Sequence, residues 1–318
     1  YQLRAHSLCW SLSLTGAVSV SKLLMARPET EYVATVFSLR KPNLTNVSTS
    51  FPAIRACIFD LDGLLINSED MITLATNQLL EQYGRPAFTS SIRAQLMGVP
   101  DSTNGDVFHN WAKVPIPREQ FASELKDRMR KSFQNCTPLP GAETLLLNLS
   151  RARNASGDTI ELALASSTKS QSFELKISRP ETKQLLGHFQ PERRVLGDDS
   201  RVRQGRGKPA PDIYLVALQT LKSDTNTKPI LPSECLVFED SVAGVEAGRR
   251  AGMRVIWVPH PDVAAEYQAR QKDVLAGKTG MMHVGDNSEV GQVDDGWAET
   301  ISSLEEFNYD KYGIDVRV

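Results

Sequence analysis

Short apolar runs that alternate with helical patterns constrain the fold of this chain more than any other feature. The runs are too short for helices and are bounded by turn residues, which is typical of strands buried on both faces. Helical patterns at residues 142–149, 212–221 and 242–251 lie between or before them. Repeated strand–helix units predict an α/β fold with a Rossmann-like, doubly wound parallel sheet. The predicted strands are residues 54–59, 160–165, 194–196, 235–238 and 254–258.

One segment interrupts this alternation. Between residue 68 and about residue 136 only helical patterns occur, notably at 68–84, with Ser68 as a candidate N-cap, and at 118–133. The strand at 54–59 should still join the sheet, so the segment is predicted to be an inserted α-helical cap. The predicted domains are an α/β core at residues 51–69 and 138–316 and a helical cap at residues 70–137.

The two ends of the chain carry weaker patterns. Residues 277–296 are rich in Gly and Asp and predict a loop, which a last helix at 299–307 should follow. Residues 1–50 are predicted to be a leader, a transit peptide or a disordered segment outside the fold. Residues 1–28 lack Asp and Glu, as organellar transit peptides do, but Met25 could equally be the true start.

Composition excludes several partner classes. The formal net charge is −2 with both signs mixed along the chain, so neither a nucleic-acid surface nor a polybasic membrane patch is expected. No apolar run approaches the roughly 20 residues that a membrane helix needs. The four cysteines are scattered without a zinc or disulfide spacing, which favours a reducing compartment. We expect a cytoplasmic protein, or a mitochondrial one if the leader is genuine, that is a monomer or weak homodimer and takes a small molecule.

Polar residues follow the predicted strands at four places. In an open parallel sheet, ligands bind outside the carboxyl ends of the strands, so these four places can meet. Carboxylates suit a hard cation such as Mg²⁺, while a hydroxyl and an ammonium suit the oxygens of a phosphoryl group. The set therefore predicts phosphoryl transfer. Its members are Asp60 and Asp62 after the first strand, Ser166 after the second, Lys208 in the loop that follows residues 194–196, and Glu239 with Asp240 after residues 235–238.

Two assignments in this set stay open at the sequence level. Ser166 directly follows an apolar run, but Ser167 or Thr168 could be the phosphate ligand in its place. Glu239 could bind the metal directly or only orient groups that do.

These four motifs, in this order, resemble those of the haloacid dehalogenase (HAD) superfamily, and the resemblance covers roughly residues 54–260. The inserted segment lies where the β-phosphoglucomutase-like subgroup has its helical cap. The resemblance implies that Asp60 is a nucleophile forming an aspartyl-phosphate, and that Asp62 is an acid–base partner that must hold a proton near neutral pH. It also implies Mg²⁺ bound by Asp60, Asp240, Glu239 and the Asp62 carbonyl, and phosphate bound by Ser166, Lys208 and the backbone amide of Leu61.

The resemblance also separates reaction types. Dehalogenases and phosphonatases of the superfamily lack an Asp at the position of Asp62, which leaves a phosphatase or a mutase. At two cap positions where mutases carry a His and an Arg, this chain has Ile72 and Asp101, so hydrolysis is favoured. A sugar phosphomutase and a non-catalytic metabolite-binding protein remain the alternatives.

Finer resemblance indicates the substrate class. The similarity to the pseudouridine 5'-phosphatase branch lies in residues 166–170 and 195–199 and in Phe173, Lys176, Ser178 and Arg179, although glycerol-phosphate and sugar-phosphate phosphatases share much of this pattern. The predicted substrate is therefore pseudouridine 5'-phosphate, a polyol phosphate or a sugar phosphate. Asn67 departs from the Asp that is usual there but could still cap a helix, and Arg206 in a lengthened loop could touch phosphate.

Overall fold

The computed structural model describes residues 51–99, 103, 105–221, 228–281 and 290–317. The leader predicted for residues 1–50 lies outside this part of the chain, and so does Asp101. Within the described residues, no helix combines the length and the apolar character that a membrane span requires.

A six-stranded parallel sheet forms the centre of the molecule, and a two-stranded antiparallel sheet lies apart from it. The strands are β1 (Ala56–Phe59), β2 (Arg153–Asn154), β3 (Glu161–Ala165), β4 (Arg194–Val195), β5 (Cys235–Glu239), β6 (Arg254–Trp257), β7 (Ala298–Thr300) and β8 (Ile314–Asp315). In the large sheet the order is β4-β3-β1-β5-β6-β7. Cys57 of β1 pairs with Leu162 on one side and Leu236 on the other. This order confirms the doubly wound core.

Helices cover both faces of the sheet. They are α1 (Ser68–Gln82), α2 (Ser90–Leu96), α3 (Asp106–Ala112), α4 (Arg118–Phe133), α5 (Ala142–Arg151), α6 (Ser170–Lys176), α7 (Pro180–Leu186), α8 (Asp212–Thr220), α9 (Val242–Arg250), α10 (Pro261–Glu266) and α11 (Gln271–Leu275). Successive strand residues face opposite sides, so Phe59 packs in a cluster with residues of α5 and α7, while Ile58 packs with residues of α8 and α9. All four side chains of β1 are buried, which places the first motif at the end of a central strand.

Helices α1 to α4 are inserted between β1 and α5 and have a hydrophobic cluster of their own, which includes Leu79, Phe108 and Phe121. The two chain segments that enter and leave this insertion run side by side. Asn67 Oδ1 accepts a hydrogen bond of 2.8 Å from the Thr137 amide, and the Asn67 amide donates to the Thr137 carbonyl at 3.1 Å. Asn67 therefore links the two chain segments by a pair of hydrogen bonds.

Two local predictions are wrong. Residues 299–307 do not form a helix: Ala298–Thr300 is strand β7, which pairs with β6, and a 3₁₀ turn follows at Leu304–Glu306. A three-residue strand obtains its hydrogen bonds from β6, which local sequence does not reveal. Ser68 is the first residue of α1 and not its N-cap, a position that Asn67 occupies. The described parts of residues 277–296 contain neither helix nor strand, as predicted.

Candidate active site

The turn after β1 brings the first motif to the sheet edge. The Asp60 amide donates to the Phe238 carbonyl at 3.0 Å, so Asp60 still belongs to the ladder between β1 and β5. The chain then turns tightly, with the Leu61 carbonyl accepting from the Leu65 amide at 3.0 Å. Gly63 has φ of +73°, and a Cβ there would lie 2.3 Å from Asp240 Oδ2. Only glycine permits this contact between the turn and Asp240.

Lys208 lies in a buried network of carboxylates. Its Nζ atom is 2.5 Å from Asp60 Oδ1 and 2.6 Å from Glu239 Oε1. Tyr214 on α8 donates to the same Glu239 oxygen at 2.7 Å, and the Ser241 amide and hydroxyl donate to Glu239 Oε2 at 2.9 and 3.0 Å. Both oxygens of Glu239 thus accept hydrogen bonds, and this carboxylate orients Lys208 and the start of α9.

Three carboxylates could hold a metal ion. One ligand oxygen each from Asp60, Glu239 and Asp240 lies within 4.8 Å of the others, and all three side chains are buried. Trp257 Nε1 fixes the Asp240 backbone by donating to its carbonyl at 2.8 Å. Buried oxygens that repel one another in this way fit a hard divalent cation, whose charge would neutralise them.

Burial and the closeness of these charged groups shift their pKa values. Burial, followed by the charges of Glu239 and Asp62, raises the pKa of Asp60 to about 7 although Lys208 opposes the shift. Burial also raises the pKa of Asp240 well above its ordinary value, and Glu239 and Asp60 add to this effect. For Lys208, burial would lower the pKa, but the attraction of Asp60 and Glu239 outweighs it and the pKa is raised. The ammonium is therefore charged.

Asp62 has a different environment. Its Oδ1 accepts from the Ser68 hydroxyl and from Lys176 Nζ, both at 2.5 Å. Its Oδ2 accepts from the hydroxyls of Thr168 at 2.5 Å and Ser166 at 3.4 Å. Burial by itself would raise the pKa of Asp62, but Lys176 and the hydroxyl donors outweigh it and lower the pKa below its usual range. The proton expected on Asp62 near neutral pH is therefore not favoured in this state.

The second motif provides two buried hydroxyls. The Ser166 amide continues the ladder by donating to the Val195 carbonyl at 3.0 Å, and Ser166 Oγ accepts from the Thr168 amide at 3.1 Å. Ser166 and Thr168 are buried, whereas Ser167 is exposed. The structure brings both buried hydroxyls to Asp62, so Ser166 lies where the sequence predicts and Thr168 joins it.

Other sequence candidates have partners of their own. Arg206 forms an ion pair of 3.0 Å with Asp212, and Asp199 pairs with Arg201 at 2.6 Å. Asp198 accepts hydrogen bonds from the amide and hydroxyl of Ser170.

Sequence reasoning did not assign site roles to Ser68, Lys176 or Tyr214. Each lies on a helix, and helical residues lack the signal that a polar residue directly after an apolar run provides. Ser68 and Tyr214 could have been suspected only from knowing how α1 and α8 pack, and Lys176 only from how α6 packs.

The segment that contains the inserted helices contacts the core beside Glu239 and Asp240. A Cβ on Gly98, which follows α2, would lie 2.3 Å from the Cβ of Ser241. Arg93 of α2 forms ion pairs with Asp70 and, at 3.6 Å, with Asp262 of α10. A cavity of about 200 Å³ opens beside the Gly63 turn, between α1, the residues after β6 and those at 302–304.

Comparison with known proteins finds the family that the motifs resemble. The family model described as haloacid dehalogenase-like hydrolase matches residues 57–258. A Saccharomyces cerevisiae protein named probable pseudouridine-5'-phosphatase is 34% identical over 262 residues, which cover 82% of this chain and 98% of the relative. An Arabidopsis thaliana protein named (DL)-glycerol-3-phosphatase 1, mitochondrial, is 32% identical over 227 residues, which cover 70% of this chain and 70% of the relative.

A solved structure is similar as well. The HAD family hydrolase from Deinococcus radiodurans R1, determined with bound phosphate and sodium, is 29% identical and aligns with a TM-score of 0.52. The alignment covers 71% of this chain and 96% of that one. The family match extends from β1 to the end of β6 and contains every candidate site residue.

Proposed function

Because this chain belongs to the family of haloacid dehalogenase-like hydrolases and is an enzyme of their phosphatase type, we propose that it hydrolyses small phosphomonoesters with Mg²⁺ and an aspartyl-phosphate intermediate. One observation carries the proposal: Asp60 lies in the buried cluster of Lys208 and the neighbouring carboxylates, whereas Asp62, two residues later, is held by hydroxyl groups and by Lys176. Two carboxylates with different partners can take different roles in one reaction.

Asp60 is the proposed nucleophile. Its carboxylate oxygen would attack phosphorus as the bond from phosphorus to the ester oxygen breaks, which splits one difficult displacement into two easier ones. Lys208, held 2.5 Å from Asp60 Oδ1, is placed to bind an equatorial phosphate oxygen together with Ser166 and the backbone amide of Leu61. These donors offset the charge that the phosphoryl group carries through the transition state.

Asp62 is the proposed general acid and base. Without substrate its lowered pKa keeps it ionised, which is the form that takes a proton from the water attacking the aspartyl-phosphate. A phosphate dianion arriving beside Asp62 favours the protonated form, since a like charge nearby raises a carboxyl pKa. That proton would go to the departing alcohol oxygen.

The metal ligands we propose are the side chains of Asp60 and Asp240 with the Asp62 carbonyl, and Glu239 either joins them or orients Lys208. Mg²⁺ bound there would reduce the repulsion between the Asp60 carboxylate and an incoming phosphate. The donor set supports this assignment, because it consists of buried hard oxygens and because burial raises the pKa values of Asp60 and Asp240.

We propose that residues 70–137 act as a cap that closes over the substrate and excludes water during the first step. The separate hydrophobic cluster of α1 to α4 and the approach of Gly98 to Ser241 support this assignment. Ile72, at a position where a mutase would need a proton donor, packs its apolar side chain against the core cluster. This favours transfer of the phosphoryl group to water.

The substrates we propose are pseudouridine 5'-phosphate, polyol phosphates such as glycerol 3-phosphate, and sugar phosphates. The names of the two relatives support the first and second of these. The test is to measure phosphate release with Mg²⁺ from this panel and from p-nitrophenyl phosphate, with Asp60→Asn as the blank. If wild-type protein releases no more phosphate than Asp60→Asn, the proposal is wrong, and conversion of a hexose 1-phosphate to its 6-phosphate without release would indicate the mutase.

The proposed location is the cytoplasm, with the mitochondrion as the alternative, because the Arabidopsis relative is named as mitochondrial. Microscopy of the chain fused at its carboxyl end to a fluorescent protein, with and without residues 1–28, distinguishes the two. Mitochondrial signal that depends on residues 1–28 would identify them as a transit peptide.

A further inference from the structure

Lys176 is a buried cation outside the four motifs. It is the last residue of α6, and its side chain is only 4% exposed. Lysine is rarely buried to this extent unless its ammonium is paired. Here the ammonium lies 2.5 Å from Asp62 Oδ1 and 2.8 Å from the Thr168 hydroxyl.

Stability does not explain such a pair well. Taking both charges of a buried pair out of water costs roughly what their attraction returns, so an apolar pair of similar volume would often serve the fold as well. The Asp62 side chain is 17% exposed, so water could still solvate its carboxylate if Lys176 were lost. The charge at position 176 is therefore better explained by what it does to Asp62.

Lys176 also contacts the inserted helices. Its Nζ atom lies 4.5 Å from the centre of the Phe133 ring, in cation–π geometry, and Phe133 is the last residue of α4. One ammonium thus contacts the carboxylate on the core and an aromatic face that belongs to the insertion. A shift of α4 would change how firmly Lys176 is held against Asp62.

We propose that Lys176 is a positioning residue, which holds the Asp62 carboxylate in the orientation that delivers its proton to the leaving oxygen. This inference rests on the proposed function. Ser68 and Lys176 contact Oδ1, while Thr168 contacts Oδ2, so the carboxylate is held from both sides. Lys176 also contacts Phe133 of α4.

The step it serves is the first half of the reaction. An Asp60 oxygen forms a bond to phosphorus while the bond from phosphorus to the ester oxygen breaks. The electron pair of the broken bond stays on the ester oxygen, which takes the proton from Asp62 and leaves as an alcohol. An alkyl alcohol needs this proton, whereas p-nitrophenolate is stable enough to leave without it.

The experiment compares kcat/KM for glycerol 3-phosphate and p-nitrophenyl phosphate in wild type and Lys176→Met. This ratio covers only the steps up to alcohol release, so the later attack of water does not affect it. We expect a loss of about a hundredfold for glycerol 3-phosphate, as misplacement of a reacting group produces, and little change for p-nitrophenyl phosphate. Asp62→Asn should show the same selectivity more strongly.

Two controls define the alternatives. Lys183→Met removes an exposed lysine from α7 and should leave both substrates unchanged. Phe133→Leu leaves Lys176 in place but removes the aromatic ring that it contacts. It should lower kcat/KM for glycerol 3-phosphate by less than Lys176→Met does and leave p-nitrophenyl phosphate nearly unchanged. This variant keeps the inference testable if Lys176→Met does not fold.

Equal losses for the two substrates, or an unchanged value for glycerol 3-phosphate, would overturn the role of Lys176 while leaving the phosphatase intact. Wild-type activity no greater than that of Asp60→Asn would instead overturn the proposed function, and the role of Lys176 with it.

Discussion

At the scale of single residues, Glu239 and Asp240 show how neighbours in sequence can differ in role. Each oxygen of Glu239 accepts hydrogen bonds, from Lys208 and Tyr214 on one side and from Ser241 on the other. Asp240 instead faces the Gly63 turn, and burial together with the carboxylates around it raises its pKa. Glu239 is satisfied by donors, whereas among the described residues the ammonium of Lys208 pairs with Glu239 and Asp60 and not with Asp240.

This difference predicts opposite effects of two amide substitutions. Glu239→Gln puts an amide group against donors and should lower the free energy of unfolding by about 3 kcal/mol, as breaking a buried ion pair does. Asp240→Asn removes a repelling charge and should raise the stability of the metal-free protein while abolishing its response to Mg²⁺. Urea unfolding of both variants in EDTA and in Mg²⁺ measures this. A Glu239→Gln protein of normal stability that has lost only its Mg²⁺ response would instead identify Glu239 as a direct ligand.

At the scale of elements, the contact between the inserted helices and the fourth motif depends on one glycine. Gly98 has φ of +70° and approaches Ser241, the N-cap of α9, so closely that a side chain cannot fit. Gly84, after α1, has φ of +63°, but a Cβ there would meet no heavy atom of the described chain within 4 Å. Both glycines have a left-handed backbone, but only Gly98 lies against Ser241.

Alanine at each glycine separates these effects. Both Gly98→Ala and Gly84→Ala should cost about 1 kcal/mol of stability for the left-handed backbone. Only Gly98→Ala should also push the insertion away from Ser241, and it should lower kcat/KM for phosphomonoesters by about tenfold through misplacement of the cap. Thermal unfolding and steady-state kinetics of the pair provide the measurement. Equal kinetic losses in the two variants would show that the contact with Ser241 is irrelevant to turnover.

At the scale of the whole molecule, the buried acidic cluster links stability to pH and to metal. The pKa of Asp60 is raised from 3.8 to about 7 in the folded state, mainly by burial. The folded state therefore binds more protons than the unfolded chain between these values, and its stability is lost as pH rises through this window. A divalent cation competes with protons for the same oxygens, so its stabilising effect should increase with pH.

We accordingly expect the Tm in EDTA to fall between about pH 5 and pH 7, and saturating Mg²⁺ to remove most of that fall. At a concentration about 100 times its Kd, Mg²⁺ should add about 2.7 kcal/mol to the free energy of unfolding. Calorimetry across this pH range measures both effects, with Asp240→Asn as the variant in which Mg²⁺ should have little influence. A Mg²⁺ effect that shrinks as pH rises would contradict the assignment of these carboxylates to the metal.

The amino-acid sequence by itself determined the fold class and most of the candidate site. Asp60, Ser166 and the pair of Glu239 and Asp240 could be predicted because each follows an apolar run directly, and parallel strands place their carboxyl ends at one edge of the sheet. Lys208 could be assigned from its order along the chain. These features depend on local hydrophobicity and on the general geometry of parallel sheets, so they can be recognised without coordinates.

Only the tertiary structure decided the rest. It placed Lys176 and Ser68 on Asp62, gave Tyr214 to Glu239, and converted the helix predicted at 299–307 into strand β7. It also lowered the pKa of Asp62, where sequence reasoning expects a carboxyl that keeps its proton. The physical reason is the same in each case: these features depend on which face of a helix or which strand edge meets a distant segment. Tertiary packing determines these contacts, and they cannot be inferred from the residues adjacent in sequence.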